Sequence, residues 1–88
     1  MSRISQPAFK RIAEMALGVL YDSFPVPLST RQVSEQLVRD NEFTLKVLAF
    51  LESQKLAVRV EQGKMGPLQR AVRWKISQAA KARMDATG

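Results

Sequence analysis

The side chains in this sequence best equipped to do chemistry are its cations, and the chemistry open to them is anion binding. Arg59, Lys64, Arg70, Arg73 and Lys75 fall within 17 residues, with Glu61 as the only acid among them. Lys81 and Arg83 follow closely. Residues 54–88 hold eight bases against Glu61 and Asp85, whereas residues 1–53 hold six bases and six acids, so the whole formal charge of +6 belongs to the C-terminal part. A field this one-sided attracts polyanions, nucleic acid foremost and anionic membrane next. Other chemistries lack their residues. With no histidine and no cysteine, zinc sites and Ser–His or Cys–His nucleophiles are closed. The acids are scattered, mostly at helix-surface spacing beside a base. The sequence therefore reads as a non-enzyme, with no catalytic residue, metal, cofactor or evident small-molecule substrate.

The elements that must carry these cations follow from periodicity. After Lys55 the apolar period shortens to two: Leu56, Val58 and Val60 alternate with Ala57, Arg59 and Glu61, as a half-buried strand should. A second alternating run sets Val72, Trp74 and Ile76 on one face and Arg73 and Lys75 on the other. Between them, Gly63 and Gly66 permit a turn-rich loop with Lys64 and Met65 at its tip. This predicts a β-hairpin with one cationic face. Arg59 joins Arg73 on that face in the simplest register, and Arg70 can turn outward at the base of the tip. Basic side chains also guard strand edges against aggregation, but here no acid interleaves between Arg70, Arg73 and Lys75. Trp74, at strand spacing with Val72 and Ile76, belongs to the core.

Upstream the period is helical. Phe9, Ile12, Ala13, Ala16, Leu17, Leu20 and Phe24 line one face of a helix, with Met15 and Val19 on its flank. Pro25 stops it, and Pro25 to Leu28 reads as an extended connector. Ser29-Thr30-Arg31-Gln32 is a capping box opening a second helix, with Val33, Leu37 and Val38 expected inside and Glu35–Arg39 as a surface pair. Asp40 or Asn41 caps a third helix with Phe43, Val47, Leu48, Phe50 and Leu51 as its stripe. That leaves Asn41, Glu42, Thr44, Leu45, Lys46 and Ala49 as exposed positions. Ser77 caps a last helix from Gln78 to about Met84. Two short helices joined by a few residues, after a longer one, make a helix-turn-helix. The fold class expected is α+β, mostly α.

Chain length allows one domain, taken as residues 6–84, with tails at 1–5 and 85–88. Hydrophobic residues make up 45% and charged residues 25%, which suits a globular domain rather than a disordered tail. No apolar run approaches a membrane span and no secretory leader is visible, so the expected location is cytoplasmic. A domain this small is often completed by a second copy, and a homodimer is expected.

The run from Leu28 to Leu37 resembles the second helix of winged helix-turn-helix transcription regulators. Leu48 to Leu56 resembles the end of their recognition helix entering the wing, and Trp74-Lys75-Ile76-Ser77 the wing's return strand. The likeness spans residues 8–84 and rests on hydrophobic spacing. Where that family often carries glycine between the third helix and the wing, this chain has Lys55. The resemblance implies duplex DNA as partner, with the third helix in the major groove and the wing on phosphates or the minor groove. Carried over residue by residue, the nucleic-acid contacts would be Arg31, Asn41, Thr44, Lys46, Arg59, Lys64, Arg70, Arg73 and Lys75. Asp40 and Glu42 put negative charge on the end of the third helix that would approach DNA. Two alternatives stay open: a protein-interaction module docking through Leu45, Met15 and Val19, and RNA binding.

Overall fold

The computed structural model describes residues 6–62 and 71–87. Along them run α1 (Gln6–Ser23), β1 (Leu28–Ser29), α2 (Thr30–Leu37), α3 (Asn41–Ser53), β2 (Ala57–Gln62), β3 (Ala71–Ile76) and α4 (Gln78–Thr87). α1 buries Ile12, Ala13, Ala16 and Leu20, one turn after another. Near its start, Phe9 meets Phe43 and Phe50 edge-on, with ring centroids 6.0 and 5.3 Å apart. These edge-to-face contacts pin α1 against α3.

The capping box at the start of α2 is formed. Ser29 Oγ accepts from the Gln32 N–H at 3.1 Å, and Gln32 Oε1 accepts from the Ser29 N–H at 2.8 Å. The other end departs from expectation. Val38, expected inside, is 86% exposed. Its N–H donates to Glu35 O at 3.3 Å and the Arg39 N–H to Ser34 O at 3.1 Å, a Schellman closure that forces the intervening residue into the left-handed region. Val38 accordingly has φ 56°, and its side chain leaves the buried stripe. Because the helix ends at Leu37, Arg39 no longer faces Glu35. Glu35 pairs instead with Arg31 at 3.5 Å, and the Arg39 guanidinium lies 5.7 Å from the Phe43 ring centroid.

Asp40 caps α3, its Oδ1 accepting from the Phe43 N–H at 2.7 Å. Val47, Leu48 and Leu51 are buried as expected. α3 ends in the same closure as α2: the Lys55 N–H donates to Glu52 O and the Leu56 N–H to Leu51 O, both at 2.9 Å. Lys55, standing where a glycine would be at ease, has φ 61°.

The sheet is antiparallel with strand order β1-β3-β2. The segment expected as a plain connector thus supplies a third strand, pairing Leu28 with Trp74 and Ser29 with Arg73. Across the hairpin, Ala57 pairs with Ile76, Arg59 with Trp74 and Val60 with Arg73. Residues directly opposite share a face, so the phase of β2 is the reverse of the expected one. Ala57 is buried and Val58 is exposed. The large Trp74 and Ile76 must face the helices, and the register carries Ala57 and Arg59 with them. Trp74 is fully buried, and its Nε1–H donates to Thr30 Oγ1 at 2.9 Å.

Ser77 Oγ accepts from the Ala80 N–H at 3.1 Å, and α4 runs past the expected end at Met84 to Thr87. It is tied back to α1: Asp85 accepts from Tyr21 OH at 2.5 Å and from Lys81 Nζ at 2.7 Å. Among the described residues no helix is long and apolar enough to cross a membrane.

Candidate nucleic-acid interface

β3 is the central strand, and its alternation decides which cations can serve. Val72, Trp74 and Ile76 face the helices, so Arg73 and Lys75 stand on the opposite face beside Ser29, Val60 and Val58. Neither makes an ion pair among the described residues. Arg73 Nη1 donates to Gln32 Oε1 at 3.2 Å, while Lys75 Nζ lies 5.8 Å from the Phe24 ring centroid. Both side chains are half-buried. Two uncompensated cations at strand spacing, anchored to α2 at one end and to the end of α1 at the other, form a face suited to successive phosphates.

Arg59 does not belong to this face. It shares the opposite one with Trp74, over whose ring its guanidinium sits 4.7 Å from the centroid. Its Nη2 is 3.1 Å from Glu52 Oε1. The charge is neutralised and the stem covers an aromatic. Thr44, expected as an exposed base contact, is fully buried, with no hydrogen-bond partner for its hydroxyl among the described residues. It occupies the same side of α3 as Val47, Leu48 and Leu51, one turn before the first two and two turns before the last.

Asn41 and Lys46 are exposed, and Lys46 makes no ion pair among the described residues. Asn41 is tied to α2: Ser34 Oγ stands 2.8 Å from both Arg31 O and Asn41 Oδ1. A hydroxyl has one proton, so it serves one of these acceptors at a time. Arg31 is exposed and loosely paired with Glu35, a pair worth little in water. Lys64, Met65 and Arg70 lie outside the described residues.

Two partners were not visible from the sequence. Gln32 was identifiable as a capping residue, but its contact with Arg73 exists only because β1 pairs with β3. Glu52 neutralises Arg59 from seven residues away, a contact that the reversed phase of β2 brings about. Lys81, which extends the cation count in sequence, is neutralised by Asp85. The hydrogen bond to Asp85 holds the Lys81 ammonium above its ordinary range and likewise raises the Tyr21 phenol. Asp85 is held below the usual carboxylate range, by Lys81 first and Tyr21 second. Among the described residues there is no cluster of acids able to hold a metal ion.

No protein-family model and no curated protein sequence matches the chain. Solved structures do. The Staphylococcus aureus MepR–DNA complex superposes with a TM-score of 0.72 at 20% identity, over 90% of this chain and 63% of that one. MepR, described as a transcription regulator of the S. aureus multidrug efflux pump MepA, gives 0.68 at 21% identity over 85% and 52%. Lactococcus lactis ZitR, in a C30AH42A apo form, gives 0.66 at 20% identity over 90% and 57%. The chain spans little more than half the length of these proteins. α2, the turn at Val38 to Asp40 and α3 form the helix-turn-helix, and β2 and β3 form the wing beside it. The chain therefore has the winged helix-turn-helix fold, which it shares with MepR and ZitR.

Proposed function

We propose that this chain binds duplex DNA as a small transcription regulator acting in the cytoplasm as a homodimer, held chiefly by the wing. The observation that carries the reading is the pair Arg73 and Lys75 on one face of β3, without an ion pair among the described residues, while Arg59 and Lys81 in the same basic half are each paired with an acid. The likeness to MepR as it stands in a DNA complex supports it. Lys64 and Arg70 extend the same basic stretch in sequence. The outer side of α3 offers Asn41 and Lys46 to the groove but also Glu42 and Leu45, so it reads bases without adding net charge.

Fluorescence anisotropy with a labelled duplex at rising salt tests this. Each phosphate neutralised contributes about −0.9 to the slope of log affinity against log salt. Arg73→Glu with Lys75→Glu should abolish binding, while Lys46→Ala only weakens it. An affinity indifferent to salt, or no binding at low salt, would sink the reading, and the reverse ranking would move the anchor to α3.

A second reading has its own observation. Met15 and Leu45 are 53% and 46% exposed, which suits docking to a protein partner. Such a partner would be retained through nuclease treatment, whereas a DNA-bridged one would be lost.

A further inference from the structure

Gln32 is neutral in a place where an acid would serve its helix as well. Its Oε1 accepts from the Ser29 N–H at 2.8 Å and from Arg73 Nη1 at 3.2 Å. A side-chain carbonyl has two acceptor sites, so both are used. Two donors converging on one atom also fix the amide: oxygen toward Ser29 and Arg73, with the nitrogen left unpartnered among the described residues. Capping boxes take Glu as readily as Gln at this position, and a carboxylate there is favoured by the helix dipole. But a carboxylate 3.2 Å from Arg73 would close an ion pair on it, as Glu52 does on Arg59 and Asp85 on Lys81. The amide holds one guanidinium nitrogen without cancelling the charge.

We propose that Gln32 is a positioning residue for phosphodiester binding: it holds Arg73 by a neutral acceptor, so that the guanidinium's charge and remaining N–H groups stay available to a nucleic-acid phosphate. This rests on the DNA-binding reading of Arg73. Arginine recognises phosphate through a planar fork of donors, so fixing one nitrogen orients the others.

The test is Gln32→Glu beside Gln36→Glu, which adds the same charge on α2 at an exposed site whose present side chain makes no hydrogen bond to Arg73 among the described residues. Gln32→Glu keeps the capping box and should melt no lower than the parent protein. Its duplex affinity in anisotropy at about 50 mM salt should fall roughly tenfold further than that of Gln36→Glu. Its salt slope should shrink by about one phosphate's share. In an Arg73→Ala background the extra loss from Gln32→Glu should disappear. Equal losses in the two glutamate variants, or an extra loss that persists without Arg73, overturn the positioning role while the DNA-binding reading stands. A parent protein that binds no duplex overturns that reading and this role with it.

Discussion

Val38 and Lys55 each close a helix with a left-handed backbone, at φ 56° and 61°. An L-residue there costs about 1–2 kcal/mol, and a β-branched one is the harder case. Glycine relieves that strain but gives back roughly 0.5–1 kcal/mol of chain entropy. Val38→Gly should therefore stabilise the domain by about 1 kcal/mol in urea unfolding, and Lys55→Gly by roughly 0.5. Thr44 presents a different liability, a buried hydroxyl with no partner among the described residues. Thr44→Val should gain about 1 kcal/mol in the same measurement and leave duplex affinity unchanged, since the side chain reaches no solvent. Capping residues were readable from sequence because Ser29, Gln32 and Asp40 act on backbone three residues away. Nothing about valine or lysine announces a positive φ. Thr44 misled because threonine suits a surface and a core equally well by size.

Among the described elements, α4 has an attachment that depends on pH. Asp85 receives hydrogen bonds from Lys81 and Tyr21, which lower its pKa below the ordinary 3.8 and raise theirs above 10.5 and 10.0. The carboxylate's contribution is present above the unfolded value and is lost as pH falls through the lower folded one. Those of the lysine and tyrosine are present below their unfolded values and are lost as pH rises through the raised ones. The melting-temperature gap between the parent protein and Asp85→Asn should hold across neutral pH. It should narrow both in acid below about 3.8 and in alkali above about 10.5. The order of helices and hairpin strands was legible, since each has its own period and its own stop. The third strand was not, because two residues are too few to show an alternation. Nor was the phase of β2, where Val58 and Val60 look like the inner face until the bulk of Trp74 and Ile76 sets the register.

For the molecule as a whole, the basic half is less basic than its composition suggests. Three of its side chains matter most: Arg59 and Lys81 stay charged but are offset by Glu52 and Asp85, and Arg73 keeps an uncompensated charge against Gln32. Arg59→Ala should thus lower stability, by uncovering Trp74, more than it lowers duplex affinity, a contrast that melting and anisotropy can separate. Arg73→Ala should show the opposite balance. The sheet's two borders also differ. β1 offers only two residues, and the prolines at 25 and 27 just before it have no N–H to give a neighbouring strand. Another chain has almost no backbone to zip onto there, so edge-to-edge growth into aggregates is blocked on the side where α2 and the wing meet.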